Sequence, residues 1–142
     1  MPLYLPDTAS LIEAQRRQAA GLAFIERAIS NGQRLLTCDI VVAEFYAGAN
    51  LGDHPLLDAI LRTSVYVPVT FEVAYQAGRY RAEYRSRGFQ LTTTDTLIAA
   101  AAKAAGATVV TPNIKDFPQT DIAVLALSSF LPISQAPDPS RG

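Results

Sequence analysis

Short apolar runs alternate with helical patterns along this chain, and that alternation constrains its fold more than any other feature. Residues 3–5, 34–37, 64–69, 107–111 and 122–127 read as strands, most of them apolar or β-branched. Between them the apolar spacing turns helical. Residues 8–29 carry Ala20, Ala23, Phe24, Arg27 and Ala28 at 3-and-4 spacing and stop at Asn31-Gly32. A helix over 40–49 has Asp39 as its N-cap and ends at Asn50-Leu51-Gly52-Asp53; one over 54–61 has Pro55 in its first turn. Helices over 70–87 and 94–105 stop at Gly88 and Gly106. Strands and helices in this order predict an α/β fold, with a mostly parallel central sheet covered on both faces. In such sheets ligands bind beyond the carboxyl ends of the strands, so that edge is where chemistry is expected.

A chain of 142 residues, 49% of them hydrophobic, is long enough for one well-buried domain. We expect that domain over residues 1–133 and a disordered polar tail over 134–142, rich in proline from Gln135 onward. Twelve basic and thirteen acidic residues give a net charge of -1, so any nucleic-acid contact must be a local patch. The single cysteine, Cys38, excludes a disulfide within the chain and reads as a small core residue. The opening apolar run is too short for a signal peptide, and no stretch approaches the ~18 apolar residues of a membrane helix. A soluble, cytoplasmic protein is expected.

Four carboxylates need explaining. Asp7 directly follows the first strand, where it serves equally well as an N-cap for the next helix. Glu44 lies in a helix whose same-face neighbours, Ile40, Val41, Ala47 and Gly48, are apolar or small. A carboxylate there points inward or into a cleft, and unpaired burial is costly without an arginine or a cation beside it. Asp95 opens an alanine-rich helix after three threonines, as a site residue or as a first-turn acid favourable to the dipole. Asp116 follows the strand over 107–111, in a loop whose Pro112, Asn113 and Asp116 are also turn formers.

Taken together, the four predict one acidic site. Like charges brought together raise each other's pKa values, and a hard divalent cation relieves that; oxygen-only ligation suits Mg²⁺ or Mn²⁺. With one histidine (His54, read as a surface or capping residue) and one cysteine, a zinc site is not expected. Metal-activated water attacking a phosphodiester is the chemistry such a site favours. Thr8, Thr111 and Asn113 are placed to orient ligands or water. Cations for a polynucleotide's phosphates are available at Lys115, Arg79 and Arg85, and also at Arg81, Arg87, Arg16 and Arg17, where ordinary solvated helix surface is the simpler reading.

These segments resemble the PIN domain family, in particular VapC-like toxin ribonucleases of toxin–antitoxin pairs. The resemblance rests on Tyr4-Leu5-Pro6-Asp7-Thr8, Val42-Ala43-Glu44-Phe45, Asp95-Thr96-Leu97-Ile98-Ala99-Ala100 and Thr111-Pro112-Asn113-Ile114-Lys115-Asp116-Phe117, in order, up to about Leu131. It implies a three-layer α/β/α fold, Mg²⁺ or Mn²⁺ held by Asp7, Glu44, Asp95 and Asp116, and single-stranded RNA as substrate. It also implies a homodimer and a cognate antitoxin protein that blocks the site. Two positions depart: Ala9 stands where the family often has Asn or Ser, and Pro112 where it often has Arg.

Rival readings differ at named residues. A phosphatase with Asp7 as covalent nucleophile usually wants an acid two residues on, where Ala9 stands; a dinucleotide site wants a Gly-x-Gly-x-x-Gly that does not follow the first strand. The remaining alternative is a non-catalytic PIN-like domain that binds RNA or a partner.

Overall fold

The computed structural model describes residues 2–48 and 54–133. The expected turn at 50–53 and the tail over 134–142 lie outside the described residues. Among the described residues five strands, β1 (Tyr4–Pro6), β2 (Leu36–Cys38), β3 (Val65–Val67), β4 (Thr108–Thr111) and β5 (Ala123–Ala126), are interleaved with six α-helices. These are α1 (Thr8–Gln15), α2 (Ala19–Ser30), α3 (Asp39–Gly48), α4 (Pro55–Thr63), α5 (Phe71–Ser86) and α6 (Thr93–Ala105).

Among the described residues every strand pairing is parallel. β4 lies between β1 and β5, and β2 pairs β3 in a second ladder beside β1. Val109, Val110 and Thr111 of β4 are buried in succession, so both faces of the sheet are covered; α1 and α6 each pack on β4. β3 forms an exposed edge, and Pro68, which has no N–H to donate, follows it directly.

Register decides where the site must lie. Pro6 pairs with Val110, and the Asp7 N–H donates to the Val110 carbonyl at 2.9 Å. The chain therefore leaves β1 and β4 at the same edge, carrying Asp7 from one strand and the loop to Asp116 from the other.

Residues 8–29 are not one helix. The chain breaks at Arg16–Gln18, with Arg17 in the left-handed region at φ 56°, and α2 folds back onto α1. Gly21 permits this: a Cβ there would stand 2.3 Å from the Ala14 backbone nitrogen. Both pieces keep a helical apolar spacing, so periodicity alone runs them together. Asp39 also departs from its expected role. Its carboxylate accepts from the Tyr66 hydroxyl and, at 3.2 Å, from the Val69 N–H, tying the start of α3 to the β3 edge rather than capping the helix.

Candidate metal centre

Asp7 is the N-cap of α1, in extended conformation, and accepts the Ser10 N–H at 2.9 Å. It is only 5% exposed. Burial pushes its carboxyl pKa above the ordinary value; the Thr111 hydroxyl and Ser10 oppose the shift, and the charge of Asp116 adds to it. The cap reading therefore holds, and the capping carboxylate is buried at the carboxyl end of β1. Ser10 was not singled out from the sequence, although the Asp-x-x-Ser spacing is an N-cap signal. Its hydroxyl donates to Val110 at 2.8 Å, pinning the start of α1 to β4.

Glu44 is half-buried on α3, which packs against both α1 and α6. The inward face of α3 is Val41 and Phe45; Ala47 and Gly48 are exposed, so Glu44 stands at the rim rather than in the interior. The Thr8 hydroxyl donates to Glu44 Oε1 at 2.7 Å, joining the residue after Asp7 to the second acid.

Asp95 sits in the first turn of α6, whose N-cap is Thr92; the Thr92 hydroxyl accepts the Asp95 N–H at 3.1 Å. Its carboxyl pKa is raised, first by burial and then by the charges of Asp116, Asp7 and Glu44, while Thr92 opposes the shift. Asp116 closes the 3₁₀ turn Ile114–Asp116 and is half-buried. Asn113 contributes through its backbone: its N–H donates to the Thr111 hydroxyl at 3.0 Å, and its side chain is exposed.

The four acids therefore share one electrostatic neighbourhood, and three of them act on the fourth. None is in an ion pair among the described residues, where the pairs are Arg62–Asp58, Arg87–Glu83 and Lys103–Asp121. As placed, no three His, Cys, Asp or Glu side chains among the described residues close on a common point. The donor chemistry, all oxygen and all anionic with no basic partner, fits a hard divalent cation.

The candidate cations separate. Lys115, exposed beside Asp116, and Arg85 on α5 make no side-chain hydrogen bond or ion pair among the described residues. Arg81 is spent on the loop before α6, donating to the Leu91 carbonyl and the Thr93 hydroxyl, and Arg87 pairs with Glu83 and covers the Tyr84 ring. Arg81 and Arg85 line one cleft with Phe89; Arg79, six residues before Arg85, does not join it. Arg16 and Arg17 lie past the far end of α1, about 12 Å of helix from Asp7. His54 caps nothing with its side chain; its ring meets Gln15 and the edge of Phe45.

The family model of the PIN domain matches residues 4–123. Ribonuclease VapC19 of Mycobacterium tuberculosis is 30% identical over 114 residues, 80% of this chain and 91% of that one. Solved structures with the same fold include VapBC2 from Rickettsia felis bound to a promoter DNA fragment, at TM-score 0.72 and 24% identity, covering 87% of this chain and 98% of that one. DNA-bound VapBC from Salmonella typhimurium gives TM-score 0.73 and 22% identity, with 89% and 99% covered. The chain belongs to the PIN domain family and has its three-layer α/β/α fold. Among the described residues no helix is long and apolar enough to cross a membrane.

Proposed function

We propose that this chain is a metal-dependent endoribonuclease that hydrolyses single-stranded RNA and acts as the toxin of a toxin–antitoxin pair. The observation that carries the reading is the environment of Asp95. Burial raises its pKa, the charges of Asp116, Asp7 and Glu44 raise it further, and no Lys or Arg among the described residues pairs with any of the four. The relationship to a named ribonuclease supplies the reaction class.

We assign Mg²⁺ or Mn²⁺ to Asp7, Glu44, Asp95 and Asp116. Such an ion, when bound, lowers the pKa of its water and polarises a phosphoryl oxygen. The chain's own groups hold the ligands: Ser10 and Thr111 orient Asp7, Thr8 orients Glu44, and Thr92 fixes the turn that carries Asp95. Lys115 and Arg85, without an ion pair among the described residues, offer cations to the phosphates, with Arg79 a weaker candidate because it lies off the cleft. We assign the catalytic domain to the stretch ending at residue 133. A cognate antitoxin that holds the chain in check completes the reading, supported by solved VapBC complexes of the same fold; we add a homodimer in the cytoplasm, on the family resemblance alone.

A non-catalytic PIN-like domain that binds RNA or a protein partner has one observation in its favour: the acids as placed do not close on one point. Incubating purified protein with single-stranded RNA and Mg²⁺ separates the two. The wild type should cut, a chelator should stop it, and Asp7→Asn, which keeps the helix cap, should lose more than the about 10–100-fold typical of disturbing a ligand's supporting partner. Equal cleavage by wild type and Asp7→Asn, or intact RNA in both, removes the nuclease reading.

A further inference from the structure

A second feature lies one helical turn from Asp95. The C-terminal end of α5 and the loop entering α6 enclose a cleft of about 410 Å³ lined by Arg81, Arg85, Phe89, Gln90, Leu91 and Thr92. Phe89 is 45% exposed, and it rests on Tyr84 through both ring and backbone. Its ring meets the buried Tyr84 edge-on at 5.8 Å, and its N–H donates to the Tyr84 carbonyl at 2.9 Å. Arg81 holds the opposite wall through Leu91 and Thr93, at 3.1 and 2.8 Å. Arg85 follows Arg81 by one turn of α5 and makes no side-chain hydrogen bond or ion pair among the described residues. Thr92 belongs both to this cleft and to the cap of the turn that carries Asp95, so the cleft adjoins that turn.

We propose that this cleft docks a nucleotide flanking the scissile bond, with its base stacked on Phe89 and its phosphate on Arg85. The inference rests on the ribonuclease reading and adds a substrate-positioning site to it. An unpaired base offers a π-face that a rigid exposed aromatic ring can take, whatever the base, and single-stranded nucleic acid is held by such platforms combined with guanidinium groups. The volume falls in the range of ligand clefts, about 300–1,000 Å³. The anchored ring loses little freedom on binding, and the unpaired guanidinium meets an anion.

Binding is measured with the full-length Asp7→Asn chain, which retains RNA, and a short single-stranded oligoribonucleotide containing 2-aminopurine. Phe89→Leu keeps the apolar contact with Tyr84 but removes the π-face. It should weaken affinity about 5- to 150-fold and abolish quenching of the 2-aminopurine, while Phe89→Tyr preserves both. Arg85→Gln should weaken binding and reduce the salt slope by about 0.7. In the cleaving chain, Phe89→Leu should raise KM more than it lowers kcat. Unchanged affinity and quenching in Phe89→Leu overturn the docking site, including the case where only binding of a protein partner suffers. If wild type leaves RNA uncut while the quenching pattern holds, the nuclease reading fails and the docking site stands. If wild type cuts RNA and Phe89→Leu changes neither binding nor KM, the nuclease stands and the docking site fails.

Discussion

Asp95 and Asp7 carry raised pKa values for the same first cause, burial, and each also feels the charge of Asp116. The sign of their linkage to stability follows. Between the unfolded and the raised folded pKa, the folded chain binds more protons than the unfolded one, so these two groups' contribution to stability falls as pH rises through that window. Asp95→Asn should therefore raise the melting temperature of the metal-free protein at pH 7 by a few degrees, and the gain should shrink as pH is lowered toward about 4. Calorimetry across that range checks it; a variant no more stable than wild type at pH 7 contradicts the assigned burial and repulsion. Thr8 makes a different prediction. Its hydroxyl bonds Glu44 Oε1 at 2.7 Å, so Thr8→Ala should weaken divalent-metal affinity about 10–100-fold with little change in melting temperature. Isothermal titration with Mn²⁺ reads that directly. Glu44 shows how far residue patterns reach: the sequence identified an acid that had to lie in or beside the core, but its place at the rim depends on which neighbours α1 and α6 bring to α3.

Among the elements, the α1–α2 turn departs most from expectation. Residues 8–29 present one helical spacing, yet the chain reverses at Arg17, and the pairing is tight because Gly21 lies against the Glu13–Ala14 backbone. Gly21→Ala would place a methyl 2.3 Å from backbone rather than from a movable side chain, and should destabilise by about 1–3 kcal/mol or more in chemical denaturation. Unchanged stability would mean the two helices do not approach as described. A glycine signals such an approach only once the partner helix is known, which explains why spacing missed it. The other stops were legible because their chemistry is local: Gly88 and Gly106 take φ of 87° and 64°, where a side chain is strained. The strand over 107–111 was found nearly whole, since an apolar β-branched run carries its own signal. The short β3 shrank to Val65–Val67, because an edge next to Pro68 has few ladder bonds to form.

On the scale of the whole molecule, parallel register does the assembling. Pairing Pro6 with Val110 carries Asp7 and the loop to Asp116 to one edge, while α6 packing on β4 brings Asp95 and α3 packing on α6 brings Glu44. The order of acids was visible in the chain; that Asp7 and the loop to Asp116 leave the sheet at one edge depends on that register. A ligand that binds only the folded chain stabilises it by mass action, so saturating Mg²⁺ at about 100 times its Kd should add about 2.7 kcal/mol to wild type and much less to Asp7→Asn. Equal gains in both would place the ion elsewhere.

Anomalous diffraction from crystals grown with Mn²⁺ decides whether Asp7, Glu44, Asp95 and Asp116 hold one divalent centre. The predicted result is an anomalous peak at the shared edge of β1 and β4, with carboxylate oxygens from at least three of the four acids at ligating distance. A map with no peak there, or with the four carboxyl groups too far apart to share an ion, would contradict it.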